Sequence, residues 1–114
     1  MITFIAHLRV RPGNAQAFED LMTHVTAMTL ENEPGVAYYG FAKSVEEPDT
    51  YVVVEVYRDQ AACVAHGDTV WVRESVPKSL LLTEGMPQLA QYVSPGAEPV
   101  VSRFEEMTRA KPTA

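Results

Sequence analysis

The sequence predicts an α+β fold in which four strands and two helical regions follow the order βαββαβ. Three features lead to this prediction. Residues 2–10 alternate along the chain as a strand does, residues 15–30 repeat apolar side chains at helical spacing, and residues 36–58 contain two more strand-like runs around a polar turn. This order is the ferredoxin-like arrangement, a four-stranded antiparallel sheet with helices on one face.

The first strand and the first helix have clear boundaries. The apolar face of the strand consists of Ile2, Phe4, Ala6, Leu8 and Val10. Pro and Gly follow it, and Asn14 suits a helix N-cap because its side-chain oxygen can accept an orphan N–H. The helix then runs from Ala15 to about Leu30 and ends before Pro34, since the residue that precedes a proline is pushed out of the helical region. Its apolar stripe consists of Phe18, Leu21, Met22, Val25, Met28 and Thr29.

Residues 36–44 and 50–58 predict an antiparallel hairpin around a short turn. The second of these strands is rich in β-branched and aromatic residues, which favour strands. It is apolar on both faces, because Val52, Val54 and Val56 oppose Tyr51, Val53 and Tyr57. The helices can cover only one face of the sheet, so we expect a second copy of the chain to cover the other face in a homodimer.

The remainder of the chain predicts two short helices and a fourth strand. Asp59 opens the first helix, Gly67 breaks it, and Asp68 is placed to cap a second helix that reaches about Ser75. Pro77 is expected to end or kink that piece. We expect the fourth strand at residues 88–93, which completes a folded domain over residues 1–94. Residues 95–114 form a C-terminal extension, which we expect to dock on the partner subunit.

Composition narrows the class of protein. The formal net charge is −6 with no basic stripe, which argues against nucleic acid as a partner. No apolar run approaches the roughly 20 residues that span a bilayer, and the N-terminus lacks the layout of a signal peptide, so we expect a cytoplasmic protein. The single cysteine, Cys63, excludes an internal disulfide and a CxxC metal site. The chain has no phosphate-binding glycine loop, HExxH or GxSxG motif.

Two residues in the second helical region are candidates for a reaction site. His66 stands beside the helix break, where an imidazole can reach a cavity and titrate near neutral pH. The alternative is a solvated histidine that helps to end the helix. Trp71 offers a flat apolar wall and one indole N–H to a ligand. Its alternative is an anchor in the core or in a dimer interface.

Three residues of the hairpin are further candidates. Glu55 lies inside the most apolar strand, where a carboxylate must be paired, hydrogen-bonded or protonated. Arg9 or His7 on the neighbouring first strand is its expected partner. Tyr38 and Tyr57 belong to the tyrosines that pack in the sheet, and one or two of these could present a hydroxyl group to a ligand.

Several short motifs, taken together, resemble the antibiotic biosynthesis monooxygenase family. In order they are VRPG, EPGV, EEPD, EVYRD and AACVAH, and the resemblance extends over about residues 2–93. It implies a dimeric α/β barrel with a pocket between the sheet and the helices. Similar members include quinol monooxygenases, which oxygenate phenolic substrates without metal, flavin or haem. No metal or other cofactor is therefore expected.

The resemblance implies roles for the candidate residues. His66 matches the family's helix histidine and would be the catalytic base, whereas Trp71, Tyr38, Tyr57 and Glu55 would bind the substrate. We expect a cofactor-independent monooxygenase that oxidises a small phenolic or quinol-type compound with O₂. The alternatives are a non-catalytic small-molecule-binding dimer or an isomerase of a small metabolite on the same scaffold.

A haem-degrading branch of related proteins fits this sequence poorly. Those proteins use an Asn in the first strand, where this chain has Ala6, and His66 precedes Trp71 here. The resemblance therefore does not imply haem.

Overall fold

The computed structural model describes residues 1–100 of the chain. Its elements are β1 (Ile2–Val10), α1 (Ala15–Asn32), β2 (Val36–Lys43), β3 (Thr50–Tyr57), α2 (Gln60–Gly67), α3 (Val70–Leu82) and β4 (Thr83–Val93). The strands form one antiparallel sheet in the order β2-β3-β1-β4. The predicted ferredoxin-like α+β fold is confirmed. Most of the C-terminal extension, residues 101–114, lies outside the described residues.

The core lies between the inner face of the sheet and the helices. β1 contributes its predicted apolar face, and β3 contributes Tyr51, Val53 and Tyr57, all of which are buried. From α1, Phe18 packs against Tyr51 with 4.9 Å between ring centroids. The opposite face of the sheet carries Ile5, Val52, Val54 and Val56, which are only partly buried. Among residues 1–100, none of the helices has both the length and the apolar character needed to cross a bilayer.

The helix after Gly67 is longer than the sequence predicts. α3 continues through Pro77 to Leu82, and its N-cap is Thr69, whose hydroxyl accepts a hydrogen bond from the Val72 N–H, instead of Asp68. A proline inside a helix leaves the carbonyl four residues earlier without its partner. That carbonyl belongs to Arg73, and both Arg73 and Pro77 are exposed, so water can satisfy it. Of the two outcomes predicted for Pro77, an end or a kink of the helix, the first was therefore wrong, and so was the predicted end near Ser75.

Strand β4 begins five residues before the predicted start, at Thr83 instead of residue 88. Gly85 and Pro87 weaken the strand signal in this part of the sequence. The register of the β1–β4 pairing shifts between His7 and Arg9, which pair with Gln88 and Glu84. Gly85 and Pro87 lie within this irregular part of β4, and Gly85 has a φ of 67°. β4 is also an edge strand, where a proline costs no ladder bond on the open side.

Candidate functional site

A cavity of about 660 Å³ lies between the inner face of the sheet and the helices. Its apolar lining includes Phe4, Val53 and Leu89 from the sheet and Val72 and Val76 from α3. The polar groups that reach it from buried or partly buried positions include those of Tyr39, Glu55, Tyr57 and His66. An apolar slot with a few converging polar groups is the usual form of a small-molecule site.

His66 lies at the end of α2 with only 6 % of its surface exposed. The alternative of a solvated histidine at a helix end is therefore wrong. The rings of Tyr39 and Tyr57 flank the imidazole, with centroids 5.1 and 5.4 Å from its own. These two rings restrict the orientation of the imidazole beside the cavity.

A carboxylate that the sequence analysis did not single out holds one side of this imidazole. The two oxygens of Glu33 lie 2.9 and 3.1 Å from Nδ1 of His66. Nε1 of Trp71 donates a hydrogen bond of 2.8 Å to the same carboxylate. Because an ionised carboxylate only accepts hydrogen bonds, the network assigns the hydrogen of the neutral imidazole to Nδ1. Nε2 is then left with its lone pair.

The turn that carries Glu33 fits closely against α2 and β3. A Cβ atom on Gly35 would lie 2.6 Å from the Cβ of Ala62, so only glycine permits this approach of the two segments. The Gly35 carbonyl accepts a hydrogen bond of 2.9 Å from the Arg58 N–H, and Nε of Arg58 donates to the Pro34 carbonyl at 3.2 Å. The turn is thereby fixed at the distance at which Glu33 reaches the imidazole.

On the cavity side, Glu55 and Tyr57 lie two positions apart on the inner face of β3. The Tyr57 hydroxyl donates a hydrogen bond to Glu55 Oε1, and this oxygen lies 3.9 Å from Nε2 of His66. The expectation that Arg9 or His7 pairs with Glu55 was wrong. Both of those residues are exposed on β1, whose alternate positions Phe4, Ala6 and Leu8 face the core, and Glu55 stands opposite Phe4.

Burial shifts the titration of the groups around the imidazole. Desolvation raises the pKa of Glu55, although the charge of His66 and the hydrogen bond from Tyr57 oppose this shift. Desolvation and the nearby Glu55 charge also raise the pKa of Tyr57 and of Tyr39. Both phenols therefore stay neutral across the physiological pH range and act as hydrogen-bond donors or as apolar walls.

The five residues singled out by the sequence lie in three separate places. His66, Glu55 and Tyr57 come together at the cavity. Trp71 is not among the lining residues; its ring packs against the core, and its N–H supports Glu33. Tyr38 is 54 % exposed on the outer sheet face, where its hydroxyl lies over Gly40.

One feature of the sequence indicates that Glu33 has a partner elsewhere in the fold. An acidic residue at a helix C-terminus is unfavourable with respect to the helix dipole, so its presence there calls for a partner elsewhere. Glu33 caps the end of α1 and finds its partners on α2 and α3. Within residues 1–100, no three His, Cys, Asp or Glu side chains converge in a group that could hold a metal ion.

Comparison with known proteins gives consistent matches. The family model "Antibiotic biosynthesis monooxygenase" matches residues 1–76. A Bacillus subtilis (strain 168) protein named "Putative monooxygenase YcnE" is 30 % identical over 82 residues, which are 68 % of this chain and 81 % of that protein.

Solved structures show the same fold. A Caulobacter crescentus CB15 protein, described as a "putative antibiotic biosynthesis monooxygenase", superposes with a TM-score of 0.78 at 28 % identity, and the match covers 82 % of this chain and 88 % of that protein. A conserved protein of Methanosarcina mazei Go1 has a TM-score of 0.76 at 23 % identity, over 80 % of this chain and 89 % of its own, and this likeness concerns the fold alone.

Proposed function

The chain belongs to the antibiotic biosynthesis monooxygenase family, and from this membership we propose that it oxidises a small phenolic or quinol-type compound with O₂, without metal, flavin or haem. The observation that carries the proposal is the Glu33–His66 pair beside the 660 Å³ cavity. Glu33 fixes Nδ1 of the imidazole, so that Nε2 remains available as a base next to a space large enough for an aromatic ring.

The first step is removal of a proton from the substrate. A phenol in the cavity gives its proton to Nε2 of His66, and the Glu33 carboxylate stabilises the imidazolium that forms. This arrangement is a base held by a carboxylate, and a positioned base of this kind contributes about 10²–10⁴-fold to a rate. Because the cavity walls are largely apolar, the phenolate loses water and becomes a stronger reductant.

The second step is the reaction of the phenolate with O₂. For a hydroquinone, one oxygen atom replaces a ring hydrogen and the other leaves as water, which gives a hydroxyquinone. The substrate loses four electrons in total and O₂ gains four, so no external reductant is needed.

Tyr57 and Glu55 are proposed to contact the polar groups of the substrate, and the proposed role of Trp71 is to hold Glu33 through its indole N–H. Tyr38 has no part in this proposal, since it lies on the outer face.

The decisive experiment measures oxygen uptake by the purified protein with a panel of hydroquinones and naphthohydroquinones. We expect uptake above autoxidation, incorporation of one atom of ¹⁸O₂ into the product, and a loss of about 10²–10⁴-fold in His66→Ala. His24→Ala is the matched control, because His24 is exposed on α1. Ligand-induced stabilisation without any turnover would instead indicate a non-catalytic binding protein.

We also propose that the working form is a homodimer joined through the outer face of the sheet. The centre of that face carries Ile5, Val52, Val54 and Val56, an apolar surface on an otherwise acidic chain. A patch of this kind is typical of an interaction surface. Sedimentation velocity tests the proposal, and a monomer at micromolar concentration would contradict it.

A further inference from the structure

After β4 the chain reverses and runs back over the edge of the cavity. Gly96, with a φ of 92°, makes the turn, and the Ala97 N–H donates to the Ser94 carbonyl at 2.9 Å. Residues 97–100, which we call the strap, then extend from β4 to the first turn of α2. The family model ends at residue 76 and the motif resemblance at about residue 93, so the strap lies outside both.

Two glutamine side chains hold the strap at its two sides. The Gln91 amide, on β4, donates to the Val100 carbonyl at 2.7 Å and accepts from the Val100 N–H at 2.8 Å. This pair of hydrogen bonds resembles the pair that two backbone segments form in a β-sheet. On α2, Nε2 of Gln60 donates to the carbonyls of Pro99 and Glu98 at 3.0 and 3.3 Å.

The strap forms part of the cavity wall. Val100 lines the cavity and packs against the hydrophobic core, and Gln91 stands opposite Phe4, another lining residue. The side chains of Gln91 on β4 and Gln60 on α2 thus make four hydrogen bonds to the backbone of the strap. Because the contacts are made by side-chain amides, substitution of one glutamine can release the strap without breaking the sheet.

We propose that the strap closes the cavity between β4 and α2 and limits the size of the ring system that enters. The inference rests on the proposed function only in taking this cavity as the substrate site. Releasing the strap, or removing the Val100 side chain, would widen the opening and admit larger molecules. A site shaped by apolar contacts discriminates by roughly 10–200-fold for one methylene-sized change.

The chain's single cysteine provides a readout that does not depend on turnover. Cys63 lines the cavity and is 7 % exposed, so its alkylation rate reports how easily a reagent enters. We compare iodoacetamide, which is small, with N-(1-pyrenyl)maleimide, which is large, in the full-length chain. In Gln91→Ala and Val100→Gly we expect labelling by the pyrene reagent to accelerate at least fivefold more than labelling by iodoacetamide. Gln60→Ala, on an exposed residue, should act in the same direction.

Two controls separate release of the strap from loss of stability. Gln16→Ala removes an exposed glutamine from α1 and should leave both rates unchanged. Val25→Ala opens the core at a position that does not line the cavity, so it lowers stability without touching the strap. Equal acceleration of both reagents, or equal acceleration in Val25→Ala and Gln91→Ala, would overturn the proposal.

Oxygen uptake separates this inference from the proposed function. If the proposed function holds, Val100→Gly should raise the ratio of anthrahydroquinone to hydroquinone turnover. An absence of uptake in every variant, together with size-selective labelling of Cys63, would contradict the proposed reaction and leave the strap supported. Oxygen uptake with an unchanged turnover ratio and unchanged labelling of Cys63 would support the proposed reaction and contradict the role of the strap.

Discussion

The Glu33 carboxylate lies 2.9 Å from Nδ1 of His66, although 33 positions separate the two residues in the chain. One residue caps the end of α1 and the other lies near the end of α2, so the contact exists only in the folded protein. Trp71 donates to the same carboxylate from α3. A single carboxylate thus ties three helices together, sets the tautomer of the imidazole, and directs Nε2 toward Glu55 and the cavity.

The first prediction concerns this carboxylate. In Glu33→Gln, the side chain keeps its size but loses the charge that stabilises an imidazolium. We expect kcat for oxygen uptake to fall by about 10- to 100-fold, the range known for partners that orient metal-binding histidines. KM should change little, because Glu33 is not among the residues that line the cavity. Glu31→Gln, on an exposed residue near the end of α1, is the control. A fall in kcat that Glu31→Gln reproduces would contradict a positioning role.

The second prediction concerns the close approach of Gly35 to α2. In Gly35→Ala the new Cβ atom would lie 2.6 Å from the Cβ of Ala62, so one of the two segments must move. We expect a loss of about 1–3 kcal/mol in the free energy of unfolding, the usual cost of overpacking. Urea denaturation followed by circular dichroism measures it. The displaced turn also carries Glu33, so kcat should fall as well.

A rescue and a control make this second prediction specific. Ala62→Gly removes the atom that Gly35→Ala would meet, so the double variant should recover more stability than the two single changes predict by addition. Gly67→Ala is the control for stability, because a Cβ atom there meets nothing within 4 Å and its φ is not positive. Its effect should be neutral or stabilising by up to about 1 kcal/mol, since alanine favours helices. Additive losses in the double variant would refute the steric explanation.

The sequence predicted the sheet well because alternation along each strand is a local property. The inner faces of β1 and β3 follow directly from residues such as Phe4 and Val53. The cap at Asp59 was also predictable, because its side chain bonds to the backbone only three residues away. The predicted helix end near Pro77 was wrong because a local rule places prolines at helix ends. Here the proline and the residue whose carbonyl it leaves unpaired are exposed, so the helix can continue.

The site was only half predictable from sequence. His66 could be identified from its place beside a helix break, but its partner Glu33 is distant in the chain and lies in a motif that reads as a helix stop. Trp71 was predicted to contact the substrate or to anchor the core or a dimer interface; it packs against the core, and its indole N–H donates to Glu33. Which groups meet depends on how three helices pack on one sheet, and residue periodicity does not contain that information. The register of β1 and β3 likewise decided that Glu55 faces away from Arg9.

The third prediction concerns the stability of the protein as a function of pH. Burial raises the pKa of Glu55 from its ordinary value of 4.5, so the folded state holds this proton more tightly than the unfolded state does. The contribution of Glu55 to stability is therefore fully present below about pH 4.5 and is lost as pH rises through the folded pKa. In Glu55→Gln this loss disappears, so the variant should gain stability relative to wild type as pH rises above 4.5. Urea midpoints between pH 4 and pH 8 measure the difference.

A matched substitution tests the assignment of this pH dependence. Glu31→Gln removes an exposed carboxylate of the same type from α1 and should follow the wild-type pH curve. Tyr57→Phe removes the hydrogen bond that favours ionised Glu55, so the stability of that variant should fall more steeply with pH than that of wild type. A Glu55→Gln curve parallel to wild type from pH 4 to pH 8 would show that Glu55 does not titrate in this way.

The fourth prediction concerns the outer face of the sheet. Val54 lies at its centre, opposite Ile5 on β1 and Gly40 on β2. Val54→Asp places a charge that a dimer interface would have to desolvate, whereas in a monomer the carboxylate stays in water. Sedimentation velocity should therefore show a monomer for Val54→Asp and a dimer for wild type. Val45→Asp introduces the same charge at a turn residue that is 91 % exposed, and it should remain dimeric.

Thermal unfolding distinguishes loss of the dimer from damage to the monomer. If two sheets cover each other, the wild-type melting temperature must rise with protein concentration, because mass action favours the associated folded state. Val54→Asp should melt at one temperature at all concentrations and keep the far-ultraviolet circular dichroism of wild type. A Val54→Asp protein that stays dimeric, with a melting temperature that still depends on concentration, would mean that the chains associate through a different surface. In that case the partly buried valines of β3 would need another explanation.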